Sequence, residues 1–335
     1  MTSQPTASEG GTRRRRRRRR ALLIVASVVA LLAVAGLAIR DTSPIGHFRS
    51  AESHDAFAAA YDAAMEEMPT PDATLDVRTD FGVVRFYRFD GANPDAAPLV
   101  LLPGRASGSP MWADNIPELQ QLRTVYTLDL LGEPGASIQD RPIENDAEQA
   151  QWLHEAIAEL PDREVNLLGV SIGGWTAMNL AIHQPEKVTS VTLLDPAVTF
   201  ADIAPEAVVR SIPASVAWFP KSWRDDFNSW TAGGAPVDDS PIAAMIESGM
   251  QHYALKLPAP ARFAESAVAD VRMPVLVIMA GKSVMHDSAA AAEFADRTLH
   301  DGTVLVYEDA SHAINGEYPE RIADDVASFL AATGE

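Results

Sequence analysis

The chain contains no cysteine. That excludes disulfides, thiolate metal sites, a cysteine nucleophile and a lipidated N-terminal cysteine. The sequence also lacks an internal repeat, a metal-ligand cluster and a phosphate-cradling loop. Gly104-Arg105-Ala106-Ser107-Gly108 is glycine-flanked, but it has neither the lysine nor the spacing of a nucleotide loop. No cofactor or metal is therefore expected. Positive charge is scarce beyond residue 40. The formal charge is −19. Residues 1–40 hold nine arginines against one glutamate, so the remaining chain carries −27. So acidic a body is unsuited to nucleic acid, which is bound by neutralising phosphates. The acidity reads as a solvated surface.

What is present begins with an asymmetry at the N-terminus. Residues 1–12 are polar and of low complexity, and Arg13 to Arg20 is an unbroken basic run. Residues 1–20 read as a disordered basic tail. The next stretch, Ala21 to Ile39, has Ser27 as its one polar side chain. As a helix its nineteen residues would span about 28 Å, close to the hydrocarbon thickness of a bilayer. Basic residues before such a span keep the N-terminus cytoplasmic. The expected arrangement is a single-pass signal anchor in the cell membrane, with everything after Arg40 outside the cytoplasm. A cleaved signal peptide ending near Ala33-Val34-Ala35 is the competing reading. An arginine-rich nucleic-acid tether is a third.

Residues 40–72 read as a linker and a leading alanine-rich helix, Ala51 to Met68, ended by Pro69 and Pro71. From residue 73 to 335 the pattern is α/β. Two strand-like runs, Ala73–Arg78 and Gly82–Phe89, precede the wholly apolar strand Pro98–Leu102. Strands and helices then alternate, as in a doubly wound, mostly parallel sheet of about eight strands. Residues 196–270 break the rhythm with eight prolines, clustered aromatics and no clear strand. They read as a helical lid inserted over the sheet's C-terminal edge.

Gly169-Val170-Ser171-Ile172-Gly173-Gly174 follows the apolar run Val165–Val170 and precedes a helix-like segment. Strand, Gly-x-Ser-x-Gly, helix is the context of a nucleophile elbow. The turn is tight enough that side chains at Gly169 or Gly173 would strike neighbouring backbone. The Ser171 oxygen then stands exposed at the strand's C-terminal end, and the Ile172 N–H is free for an oxyanion. A serine hydroxyl needs a base. Among eight histidines, His312 lies in the loop between the last strand and last helix, on the elbow's edge of the sheet. The base needs an orienting carboxylate. Asp287 is the one carboxylate in the loop after Val275–Met279 and is the expected acid. Asp195, directly after Val188–Leu194, is its rival. The second oxyanion donor is expected from the loop after Pro98–Leu102, at the Arg105 N–H with Ala106 next.

Together these pieces resemble the α/β-hydrolase fold family, in its lid-bearing form, over about residues 73–332. The resemblance rests on Leu102-Pro103-Gly104 with Trp112, Asp129 to Ser137, Gly169 to Gly174, Leu193-Leu194-Asp195-Pro196 and Ser311-His312-Ala313. Two positions depart from the family pattern. Pro103 stands where His is frequent, and Val284 stands where the acid usually falls, three residues after Gly281. The resemblance implies water-dependent acyl transfer through an acyl-Ser171 intermediate, and a carboxylic ester hydrolase is the expected activity. The expected partner is a small-molecule, apolar acyl substrate, for which the aromatics of residues 196–270 offer a pocket lining. Haloperoxidase-like or carbon–carbon hydrolase chemistry is the alternative. A catalytically silent binding protein with a lidded pocket is another.

Overall fold

The computed structural model describes residues 41–214, 216–237 and 239–334. The expected basic tail (1–20) and apolar span (21–39) lie outside the described residues. Among the described residues no helix is long and apolar enough to cross a membrane.

The chain opens with a short strand, β1 (His47–Phe48), and helix α1 (Ala51–Met65). Ser50 caps α1, its hydroxyl accepting from the Ser53 N–H. Strands β2 (Ala73–Thr79) and β3 (Gly82–Phe89) form an antiparallel hairpin. Then come β4 (Leu99–Leu102), α2 (Ile116–Gln120), β5 (Val125–Leu128), β6 (Ile138–Gln139) and α3 (Asp146–Ala158). They are followed by β7 (Val165–Val170), α4 (Ile172–His183) and β8 (Val188–Leu194). An insertion carries α5 (Pro205–Ala214), α6 (Lys221–Thr231), α7 (Pro241–His252), β9 (Tyr253–Ala254) and α8 (Glu265–Ala269). The α/β rhythm resumes with β10 (Val275–Ala280), α9 (Ser288–Thr298), β11 (Gly302–Tyr307), α10 (Ile314–Glu317) and α11 (Pro319–Thr333).

The main sheet runs β11-β10-β8-β7-β4-β5-β3-β2, and β6 pairs with β3 beside that path. From β11 to β5 all neighbours are parallel; β3 is antiparallel to β5 and to β2. Parallel strands covered by helices on both faces are apolar throughout, and β4, β5, β7 and β10 are buried at every residue. Their side chains feed two large apolar clusters. One holds Leu102, Leu167 and Val277; the other holds Leu101, Leu168 and Ile278. Consecutive strand residues therefore enter opposite clusters, as the two-residue period of a strand requires.

The leading segment packs on the insertion. β1 pairs antiparallel with β9, and Phe57, Tyr61 and Ala64 of α1 bury against Met245 of α7. The insertion therefore does contain a strand, against the sequence expectation. Two residues are too few to carry a readable period, and β9 exists because β1 supplies its partner. A buried ion pair, Arg224 to Glu247 at 2.8 Å, ties α6 to α7.

The elbow turn is held by space. A Cβ on Gly169 would stand 2.3 Å from the Gly173 carbonyl oxygen, and one on Gly173 would stand 2.1 Å from that of Leu102. Both obstacles are backbone, so neither can swing aside. Gly173→Ala is expected to lower unfolding stability by about 3 kcal/mol, read by denaturant titration. A loss below about 0.5 kcal/mol, the range of an innocuous surface change, contradicts this account of the turn.

Candidate active site

Ser171 joins β7 to α4 at φ +54°, a left-handed conformation that L-residues rarely adopt. The turn is fixed from the neighbouring strand. The Ser171 N–H donates to the Leu194 carbonyl (3.0 Å) and the Ala197 N–H donates to the Ser171 carbonyl (3.1 Å). The side chain caps nothing in its own helix. It faces His312 instead, with Ser171 Oγ and His312 Nε2 2.9 Å apart.

His312 lies between β11 and α10. Its ring is mostly covered, with 13% of the side chain exposed. The His312 backbone N–H donates to the Thr231 carbonyl at the end of α6, so the insertion grips the loop that carries the ring. The preceding residue, Ser311, gives its N–H and hydroxyl to the Glu317 carboxylate at 2.8 and 2.6 Å.

The carboxylate on His312 belongs to Asp195. His312 Nδ1 lies 2.5 Å from Asp195 Oδ2, and the Asp195 side chain has no exposed surface. Asp287, the acid expected from sequence, is not there. It caps α9, its carboxylate accepting the Ala290 N–H at 3.0 Å. A carboxylate one residue before a helix is drawn to the free N–H groups of the first turn, and this one is spent on them. The placement of Asp195 follows from strand register. Val170 pairs with Leu194 on adjacent parallel strands, so Ser171 and Asp195 leave the same sheet edge side by side. That signal is in the sequence, where two apolar runs each end on a polar residue. Reading it requires knowing that β7 and β8 are neighbours in register.

Asp195 carries three further donors: the Ala280 N–H (3.2 Å), the Ser283 hydroxyl (2.6 Å) and His286 Nε2 (3.1 Å). Sequence reasoning did not single out Ser283 or His286. Burial opposes ionisation of Asp195, but hydrogen bonds and charge from His286 and His312 prevail and hold its carboxyl below the usual carboxylate range.

The residues of the expected oxyanion donors border one small cavity, whose lining includes neither Ser171 nor His312. Ile172 and Arg105 both line it, with Leu131, Trp175, Leu257 and Pro258 among its walls. The Ile172 N–H opens α4 and so has no acceptor within the helix. In the Arg105 loop, the Gly104 N–H meets the Met111 sulfur and the Ala106 N–H goes to Glu133. That removes Ala106, the second choice for donor, and leaves the Arg105 N–H unspent among the described residues. The Arg105 guanidinium pairs with Glu133 at 2.7 Å. Burial pushes the Glu133 carboxyl upward, and Arg105 counters it. Among the described residues no group of histidines and carboxylates is placed to hold a metal ion.

A serine on a strained strand-to-helix turn, a histidine from the last loop and a buried aspartate, all at the C-terminal edge of a mostly parallel sheet, define an α/β hydrolase. The comparisons agree: a model of the Alpha/beta hydrolase family matches residues 99–325, and the chain belongs to that family. It is 26% identical over 290 residues to carboxylesterase YbfK of Bacillus subtilis (strain 168), covering 84% of this chain and 96% of that protein. It is 24% identical over 279 residues to the uncharacterized carboxylesterase nap of the same strain, covering 81% and 91%. The solved structure of carboxylesterase CesB (YbfK) superposes with a TM-score of 0.77 at 24% identity, over 84% of this chain and 99% of that one. A membrane phospholipase A structure superposes with a TM-score of 0.66 at 19% identity, over 93% and 99%.

The depressed Asp195 carboxyl carries a pH signature. Its folded value lies below its unfolded one, near 3.9. Its contribution to stability is therefore complete above about pH 4 and lost as pH falls through the folded value. Unfolding stability of Asp195→Asn is expected to fall less steeply than that of wild type as pH drops below about 4. Parallel slopes in chemical denaturation would contradict this.

Proposed function

We propose that the protein is a serine hydrolase of carboxylic esters. The observation that carries this is the continuous line from Ser171 Oγ through the His312 ring to Asp195 Oδ2, with bonds of 2.9 and 2.5 Å. Ser171 Oγ attacks the ester carbonyl carbon while His312 Nε2 takes its proton. The N–H groups of Ile172 and Arg105 receive the oxygen that becomes negative. Collapse breaks the bond to the alcohol oxygen, which leaves with the proton from His312. Water then attacks the acyl-Ser171 carbonyl, giving its proton to His312, and the acid departs as Ser171 is reprotonated. Asp195 keeps a hydrogen on His312 Nδ1, so that Nε2 faces the serine, and stabilises the imidazolium. Likeness to YbfK and nap across most of both chains supports ester substrates over carbon–carbon cleavage. An aligned serine, base and acid speak against a silent binding protein.

A fluorophosphonate probe is expected to label wild type and not Ser171→Ala. On an ester panel, Asp195→Asn is expected to lower turnover by about 10⁴-fold, as loss of the orienting acid does in serine hydrolases. Asp287→Asn is expected to keep wild-type turnover, its carboxylate serving a helix cap. The reverse ranking of the two mutants returns the acid to Asp287. A folded wild type that neither labels nor turns over esters removes the hydrolase reading.

We further place the protein in the cell membrane through residues 21–39, with the hydrolase domain outside the cytoplasm. The basic run before the apolar one supports this. Full-length protein is expected to stay with membranes through an alkaline carbonate wash, and the domain to be open to protease added outside. Recovery in the soluble fraction overturns the anchor.

A further inference from the structure

Among the described residues, every hydrogen bond to the Asp195 side chain other than that from His312 comes from one short stretch, the end of β10 and the loop behind it. Ala280 and His286 reach Oδ1, and Ser283 reaches Oδ2 beside His312. This is the loop from which the acid itself was expected. It contributes no carboxylate to the site and presents donors to a carboxylate from the adjacent strand. We infer that His286, seconded by Ser283, is a positioning residue for the hydrolysis. Its Nε2–H fixes the plane of the Asp195 carboxylate, so that Oδ2 stays aligned with His312. The inference rests on the acyl-transfer reading above.

Three observations carry it. The first is the geometry of the carboxylate. An aspartate's outer torsion is broad, so the backbone alone does not set which oxygen faces His312. Oδ1 has two bonds, and without His286 it keeps only the 3.2 Å contact from Ala280. The second is the cost of a histidine at this point. The His286 side chain is 1% exposed, and its Nδ1 is buried with no partner among the described residues. A buried ring nitrogen without a partner is costly, and an apolar side chain would fill the same space without it. The ring's polar value here lies in Nε2, and Oδ1 is an acceptor, so Nε2 must hold the hydrogen. The third is that the loop is itself fastened. The Ser288 hydroxyl donates to the Ala280 carbonyl (2.7 Å), and the Met285 carbonyl accepts the Ala204 N–H (2.8 Å). A donor on a fastened loop can hold what it binds. The titratable groups acting on Asp195 are His286 and His312. Ser171 and the Thr231 carbonyl complete the polar contacts of His312.

The test compares His286→Leu, which removes the donor at similar bulk, with His286→Gln, whose amide offers an N–H at a similar reach. In His286→Leu, kcat is expected to fall roughly 10- to 100-fold, by analogy with the loss seen when hydrogen-bond partners of metal-ligating side chains are removed. KM should stay near wild type, because His286 is too buried to touch substrate. The acid limb of the kcat/KM profile should move to higher pH, because an aspartate with one donor fewer presents more of its charge to His312. His286→Gln should restore both turnover and the limb. Ser283→Ala, a minimal change in volume, should shift both the same way by a smaller amount and serves if His286→Leu does not fold. Substrate-free NMR reads the clamp independently. The downfield His312 Nδ1–H proton should move in His286→Leu and return in His286→Gln. Wild-type kcat and pH profile in a folded His286→Leu, or equal damage from Leu and Gln, overturns the inference. Ester turnover that survives Ser171→Ala sinks the hydrolase reading instead, and leaves the NMR comparison to judge the clamp.

Discussion

The structure depends on one buried negative charge. Ionised carboxylates are costly inside proteins unless hydrogen bonds replace the water they lose. Asp195 has no contact with solvent and is met by donors from Ala280, Ser283, His286 and His312. Three of those donors lie within residues 280–286 and the fourth in the loop after β11, all far from Asp195 in sequence, and only the finished sheet brings them to it. β8 presents the carboxylate, β10 and its loop surround it, and the loop after β11 delivers the imidazole. A slip in register between β8 and β10 would strand the charge. The order β11-β10-β8-β7 is thus what lets a serine on β7 and a histidine beyond β11 act as one unit.

Backbone strain collects at the same edge. Ser171 (φ +54°) and Asp195 (φ +40°) both leave their strands in the left-handed region. Such conformations persist when their surroundings over-determine them. The Ser171 N–H is held by Leu194 and the Asp195 N–H by Ile278, each on the adjacent strand. The sheet holds the two turns open so that their side chains point off its end. The two glycines of the elbow then let α4 and the Leu102 turn approach without a side chain between them.

Much of this was legible in the sequence, for physical reasons that differ by residue. Ser171 was readable because a nucleophile elbow is a local object: strand, glycine, serine, glycine and helix lie within some twenty residues. His312 was readable because position alone, between the last strand and last helix, puts it on the active edge. Asp195 lost to Asp287 because that choice turns on contacts between strands. Asp287 sits seven residues beyond β10, where the nearest unmet need is the N-terminus of α9. Asp195-Pro196 resembled a strand ending, and it is one. The same residue also serves the site. Ser283 and His286 stayed hidden for the same reason, having no role until Asp195 is placed opposite them. β1 and β9 stayed hidden because each is only two residues long and is defined by the other.

The insertion and the catalytic base are mechanically one system. The His312 N–H is bound by Thr231, the last residue of α6, and Gly233 lies against Ser311, close enough that an added Cβ would stand 3.2 Å from the Ser311 Cβ. From the other side Glu317 holds the Ser311 N–H and hydroxyl. The imidazole loop is therefore gripped by the insertion, by α10 and, through the ring, by Asp195. Any movement of the end of α6 would therefore pull on the residue that activates Ser171. Holding the base through a carbonyl at a helix end lets the insertion set the reach of Nε2 without contributing a side chain to the chemistry. The insertion and the loop carrying the base are joined by the backbone hydrogen bond from His312 to Thr231 and by the packing of Gly233 on Ser311.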